Sequence, residues 1–211
     1  MESLIEFYHV LTNPEQIIQT GGLLLILLII FAENGLFFGF FLPGDTLLFT
    51  TGLLCSTGHF NISIYLLLIT ITGAAFLGSM FGYYVGKKTG DKLYQKADSL
   101  LYKRKYLISA EAFFTKHGGF ALVMGRFLPI IRTFAPIFAG IAHFNYGKFL
   151  YYNIVGGTLW VFSMLLAGYF LGIFIPESKD YLEYLILGIV VITWIPVIIT
   201  YLKERNRLAK K

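Results

Sequence analysis

Residues 118–140, GGFALVMGRFLPIIRTFAPIFAG, combine an apolar composition with two arginines and two prolines. An arginine at the centre of a bilayer costs about 3 kcal/mol on insertion scales, so charged residues in such a stretch indicate a functional site. On an unbroken helix, the spacing of Arg126 and Arg132 would turn their guanidinium groups about 240° apart. Pro129 lies between them and lacks a backbone donor, which predicts a break that brings both arginines to one place.

The whole chain has the composition of an integral membrane protein. Of its 211 residues, 56% are hydrophobic and only 14% are charged, and the mean hydropathy is +0.70. Soluble domains carry about 25% charged residues. We therefore predict one all-α membrane domain covering residues 1–211. The single cysteine, Cys55, cannot form an internal disulfide. The first 16 residues contain no basic residue, which argues against a cleaved signal peptide.

Basic residues are distributed unevenly along the chain. They are absent before Lys87, cluster between Lys87 and Lys116, and cluster again from Lys203 to the end. Both clusters flank apolar segments, so the positive-inside rule explains the net charge of +5 better than nucleic-acid binding does. This distribution predicts a multi-pass membrane protein whose loop 87–116 and C-terminus are cytoplasmic. It leaves the side of the N-terminus open.

The apolar segments predict two kinds of membrane element. Residues 33–57 contain a turn signal, Pro43 followed by Gly44, between two arms that are too short to cross a bilayer, which predicts a re-entrant hairpin. Residues 118–142 predict a second such hairpin around Pro129. Three segments are long enough to span the bilayer: 61–86, 147–175 and 181–202. Residues 1–16 form an amphipathic segment that fits either a surface helix or a solvated cap.

Three short motifs recur in the same order and predict an internal repeat. They are FLP at 41–43 and 127–129, HFN at 59–61 and 143–145, and GYYVG at 82–86 with GYFLG at 168–172. Repeat 1 would cover 17–86 and repeat 2 would cover 117–175, each a re-entrant hairpin followed by one spanning helix. Since only the span crosses the membrane, the two repeats would have opposite orientations. This is the inverted repeat of many secondary transporters, here with an extra C-terminal span.

The four charges of the two hairpins predict the functional site. Arg126 and Arg132 suit two-pronged recognition of a phosphate or carboxylate group. Glu33 and Asp45 would share the confined site, where a carboxylate beside arginine can take up and release protons and so couple transport to a proton gradient. The structural alternative is that the carboxylates only neutralise the arginines and hold the hairpins together.

Further residues are expected to shape or line this site. We predict that five residues shape the hairpins: Pro43, Gly44, Gly125, Pro129 and Pro136. On the span after the second hairpin, Asn153 is a weaker candidate for a hydrogen bond between helices and Trp160 for a wall of the cavity. Plain packing is the alternative for both.

The sequence contains no pattern typical of an enzyme or a metal site. Its four histidines lack metal-ligand spacing, and it has no phosphate-binding glycine loop, nucleophile elbow or Cys/His cluster. We therefore predict no catalytic residue, no metal and no cofactor. The expected partners are the membrane, an anionic group and protons, without nucleic acid; a homo-oligomer is left open.

At these residues the chain resembles the DedA family, the bacterial members of the VTT (SNARE-associated) membrane proteins, over roughly residues 20–175. The resemblance rests on Glu33 followed by FLPGD ending at Asp45, and on GRFLPIIRTFAP with Arg126 and Arg132. It implies an inner-membrane protein with two re-entrant hairpins that face each other. It also implies movement of phosphate-bearing lipids, notably undecaprenyl phosphate or a phospholipid, and dependence on the proton motive force. The two carboxylates and two arginines would be the essential groups.

Three functions compete at this point. The first is a translocase (flippase) that moves a lipid phosphate, most simply undecaprenyl phosphate, between leaflets. Its variant is a flippase or scramblase of a phospholipid such as phosphatidylethanolamine. The second is a proton-coupled exporter of small solutes. The third, a lipid-phosphate phosphatase, would need a nucleophile and a general acid, usually histidine. Only His117 and His143, at the ends of the second hairpin, flank the arginines. The sequence therefore favours a transporter.

Overall fold

The computed structural model describes residues 14–94 and 118–175, together with Gly188, and this part of the chain is helical, without strands. Its six α-helices are α1 (Pro14–Gly35), α2 (Gly44–Ser56), α3 (Ile64–Tyr94), α4 (Phe120–Gly125), α5 (Pro129–Ile141) and α6 (Tyr146–Phe174). Most of segment 1–16, most of loop 87–116 and the span 181–202 apart from Gly188 lie outside the described residues.

Three of these helices are long and apolar enough to cross a membrane: α1, α3 and α6. Helix α1 has 22 residues, or about 33 Å at 1.5 Å per residue, against a hydrocarbon core of about 30 Å. It is kinked at Gly22, whose φ of 53° lies in the region that favours glycine. The helix continues past Glu33, which lies near its end.

The segment 33–57 differs from the two helical arms that its sequence predicted. Only the second arm, α2, is an α-helix, with 13 residues. Before it, the chain leaves α1 at Gly35 and continues through a connector, residues 36–43, with a single 3-10 turn at Gly39–Phe41. A side chain at Gly39 would collide with the carbonyl oxygens of Ala32 and Glu33. The connector therefore packs against the end of α1 instead of extending away from it as a helix.

The segment 118–142 contains the predicted break. Helix α4 ends at Gly125 and α5 begins at Pro129, at a position where the missing N–H of proline is tolerated. A side chain at Gly125 would lie 2.8 Å from Ile131 Cγ2, so glycine allows the end of α4 to pack against α5. Helix α5 continues through Pro136, so the break of this segment lies before Pro129 and not at Pro136. Neighbouring helices commonly support such prolines in membranes.

Helix α2 packs extensively against α6, α3 against α5, and α1 against α3. The α2–α6 and α3–α5 pairs bring backbones together at glycines that face a carbonyl oxygen of the opposite helix. In α2–α6 these contacts are Gly52 with Leu165 and Gly168 with Phe49; in α3–α5 they are Gly86 with Ile137 and Gly140 with Tyr83. Small residues permit such close helix contacts in membranes. An apolar core joins α1, α2, α3 and α6, with Ile30, Leu48, Ile71 and Leu165 completely or almost completely buried.

Candidate functional site

Arg132 lies at the centre of a buried ion cluster that joins three helices. From the first turn of α5, its Nη2 donates to Glu33 Oε1 at 2.5 Å and its Nη1 donates to Asp45 Oδ1 at 2.6 Å. Glu33 belongs to the end of α1, and Asp45 to the first turn of α2. The side chains of Arg132 and Glu33 are 2% and 1% exposed, while that of Asp45 is 12% exposed. Three of the four predicted charges therefore meet in one place.

Trp160 of α6 completes this cluster. Its Nε1 donates to Asp45 Oδ1 at 2.7 Å, and the guanidinium carbon of Arg132 lies 4.3 Å from the centroid of its ring. The side chain is completely buried. A cation over a desolvated indole ring is stabilised by its quadrupole. Trp160 thus orients Asp45 and covers Arg132, contacts that go beyond plain packing.

Gly44 makes room for the Glu33 carboxylate. A side chain at this first residue of α2 would overlap Glu33 Oε2. The carboxylate therefore lies against the amino end of α2, where the helix dipole favours negative charge. Pro43 precedes this end, and its carbonyl accepts from Leu47 N and Thr46 Oγ1. Within the described part of the chain, Glu33 Oε2 and Arg132 Nε have no hydrogen-bond partner.

Arg126 follows the last residue of α4 and has neutral partners. Its Nη1 donates to Asn34 Oδ1 at 2.9 Å, and its Nη2 donates to Ser79 Oγ at 2.6 Å and also to Asn153 Oδ1. Its exposed fraction is 3%. Among residues 14–94 and 118–175, no carboxylate lies within ion-pair distance of this guanidinium. The two arginines, which the sequence treats as one pair, thus have different environments.

The sequence reasoning did not select Asn34 or Ser79. A signal was present, because both are polar residues inside long apolar runs, where such residues often have a function. Asn153, a candidate for a bond between helices, makes one to Arg126. For metal binding, the described residues contain no group of three or more His, Cys, Asp or Glu side chains that could hold an ion.

Three apolar helices that surround buried charges define an integral membrane protein with a polar interior site. Residues 42–170 match the VTT domain. The chain is 36% identical to Protein DedA of Escherichia coli K12, over 98% of this chain and 96% of that protein. It is 38% identical to Inner membrane protein YqjA of the same strain, over 78% of this chain and 73% of that protein. An uncharacterized membrane protein of Mycobacterium leprae is 41% identical, over 94% of this chain and 89% of that protein.

The chain belongs to the DedA family of VTT-domain membrane proteins. No solved structure gave a significant match to it.

Proposed function

We propose that this protein is a membrane lipid translocase that moves a phosphate-bearing lipid, undecaprenyl phosphate, between leaflets and is coupled to the proton motive force. The observation that carries the proposal is the position of Arg132, a buried cation held by Glu33 and Asp45 from two other helices. A guanidinium fork can bind a phosphate through the same two-pronged geometry with which it binds a carboxylate. The same donor atoms can therefore serve either group in turn.

Coupling follows from this competition for Arg132. A lipid phosphate can occupy the two Nη atoms only when Glu33 and Asp45 release them. Protonation makes each carboxylate neutral and weakens its hold on arginine. Lipid phosphate and protons would therefore bind together, and their release on the other side would restore the ion cluster. The proton gradient would then drive the lipid in the direction in which protons flow.

Exposed aromatic rings next to the site support a substrate with an apolar tail. Phe38 and Phe41, in the connector that leads to Asp45, are 71% and 75% exposed. In a bilayer these rings would face acyl or prenyl chains. The head group could then enter the polar interior while its tail stays in lipid.

An inverted repeat of re-entrant hairpins is the architecture that we propose for this transport. The reciprocal glycine contacts support it, because each unit's hairpin helix lies against the spanning helix of the other unit. In these contacts Gly86 of α3 takes the same position in its unit as Gly168 of α6 takes in the other. The repeated sequence motif instead aligns Gly168 with Gly82. In such folds the substrate site lies near the bilayer midplane between the repeats. The basic tail would leave the C-terminus in the cytoplasm.

Transport is proposed instead of catalysis because the Ser79 hydroxyl, which contacts Arg126, is poorly placed as a nucleophile. Ser79 Oγ accepts from Arg126 and donates its own proton to the Ala75 carbonyl at 3.0 Å. A nucleophilic hydroxyl needs a general base to take that proton. Release of phosphate from undecaprenyl phosphate by the purified protein would instead favour a phosphatase.

Binding of undecaprenyl phosphate to the purified protein, titrated by native mass spectrometry, tests the proposal. We expect the wild type to bind it more tightly than undecaprenol, and the Arg126→Lys and Arg132→Lys variants to bind at least about tenfold more weakly, since lysine keeps the charge but loses the fork. Lys148→Gln, which removes an exposed cation of α6, is the matched control and should bind as the wild type does.

Wild-type affinity in both folded lysine variants would make the arginines structural. Failure of the wild type to bind undecaprenyl phosphate, with binding of phosphatidylethanolamine instead, would contradict the proposed substrate. Binding of a phosphate compound without a lipid tail would favour the exporter of small solutes.

A further inference from the structure

We propose that Asn34, Ser79 and Asn153 are positioning residues that form a neutral cradle for Arg126, and that Arg126 therefore makes the first contact with the lipid phosphate. This inference rests on the proposed function and assigns different tasks to the two arginines. Arg126 would capture the anion, and Arg132 would respond to protons through Glu33 and Asp45.

The cradle is built from three helices. Asn34 belongs to α1, Ser79 to α3 and Asn153 to α6, and each presents an oxygen to the guanidinium of Arg126. The three side chains are 0–2% exposed. Buried polar groups on three separate helices that converge on one cation form a site that packing alone would not require.

Each cradle residue is oriented by a second hydrogen bond. Asn34 Nδ2 donates to the Ile30 carbonyl at 2.8 Å, and Ser79 Oγ donates to the Ala75 carbonyl at 3.0 Å. Asn153 Nδ2 donates to the Phe76 carbonyl at 3.4 Å. Because a donor of each group is taken by a backbone carbonyl, its acceptor oxygen is left available to Arg126. The cradle is thus set in place to receive a cation.

The charges of the two arginine sites differ in sign. With both carboxylates ionised, Arg132 and its two partners carry a net charge of −1, whereas Arg126 and its amide and hydroxyl partners carry +1. An approaching anion is attracted by the second site and repelled by the first. A carboxylate adds Coulombic attraction to its hydrogen bonds with a guanidinium, whereas an amide or a hydroxyl carries no net charge, so an anion displaces an amide or hydroxyl more readily than a carboxylate.

Helix α6 presents two successive glycines to Arg126. A side chain at Gly156 would lie 3.0 Å from Val123 Cα, so this glycine allows α4 to pack closely against α6. A methyl group at Gly157 would lie 3.6 Å from the guanidinium carbon of Arg126. The guanidinium therefore lies against a surface of α6 that carries no side chain at these two positions.

A pair of substitutions at Asn153 separates charge from structure. Asn153→Asp keeps an oxygen acceptor and nearly the same shape, but it gives Arg126 a carboxylate partner. Asn153→Leu has similar size, removes the acceptor and adds no charge. For undecaprenyl phosphate titrated by native mass spectrometry, we expect about tenfold weaker binding by the aspartate variant than by the leucine variant. Undecaprenol, which has no phosphate, serves as the control for binding of the tail.

A merely structural role for the cradle predicts the reverse order, because aspartate satisfies the guanidinium better than leucine does. Equal or tighter binding by the aspartate variant, in protein whose thermal unfolding matches the wild type, would overturn the inference while the proposed function stands. Failure of the wild type to prefer undecaprenyl phosphate over undecaprenol would instead overturn the proposed function. The Asn34→Asp and Asn34→Leu pair repeats the comparison from α1 if an Asn153 variant does not fold.

Discussion

Replacing Arg132 by alanine is expected to abolish lipid transport and to destabilise the protein by about 3–5 kcal/mol, the usual cost of removing one partner from a buried ion pair. Glu33 and Asp45 would then share a buried site without the cation that holds both of them. Thermal unfolding of the purified protein in detergent measures the loss, together with the amount of folded protein recovered from membranes.

A triple variant separates the contribution of Arg132 to protein stability from its role in transport. Adding Glu33→Gln and Asp45→Asn to Arg132→Ala removes the uncompensated charges, so we expect most of the stability to return while transport stays absent. Lys148→Ala, at an exposed position of α6, should leave the unfolding temperature unchanged. An Arg132→Ala protein as stable as the wild type would show that the ion cluster does not hold these helices together.

The Glu33→Gln/Asp45→Asn variant is expected to lose the rise in affinity for undecaprenyl phosphate at low pH that these two carboxylates cause in the wild type. In the wild type, the carboxylates occupy the Nη atoms of Arg132 when they are ionised and release them when protonated. Affinity should therefore rise as the pH falls, by up to about tenfold per pH unit for each proton taken up. Titrations between pH 5 and 8 measure this slope.

The phosphate head group titrates as well, and the double variant reports that contribution alone. The difference between the two pH profiles belongs to Glu33 and Asp45, which face Arg132 of α5 and Trp160 of α6. Arg126, at the end of α4, also acts electrostatically on Glu33 and is present in both proteins. Identical pH profiles for the wild type and the double variant would exclude the proposed coupling through these carboxylates.

The meeting of Arg132 with Glu33 and Asp45 was predictable from sequence because unpaired charges in an apolar environment are costly. Chains that carry both signs in otherwise apolar stretches must bring them together or expose them to water. The break before α5 was predictable for a similar reason, since Pro129 cannot donate the hydrogen bond that would continue α4.

The separation of the two arginines was not predictable in the same way. Asn34 and Ser79 each donate to a carbonyl four residues earlier in their own helix, which polar residues in any membrane helix can do. Whether they also face Arg126 depends on how α1 and α3 are rotated against α4. The connector at 36–43 was not predictable for the same reason, because the role of Gly39 depends on its contact with α1. Continuation of α5 through Pro136 likewise depends on neighbouring helices.

The most direct test is movement of undecaprenyl phosphate between leaflets of liposomes that contain only the purified protein. A membrane-impermeant phosphatase added outside reports the fraction of the lipid in the outer leaflet. Under a proton gradient that drives protons out of the liposomes, we expect the wild type to make inner-leaflet lipid accessible to the phosphatase. The Arg126→Lys, Arg132→Lys and Glu33→Gln variants should leave this lipid protected. An accessible fraction equal to that of protein-free liposomes, with or without the gradient, would contradict a lipid-phosphate translocase.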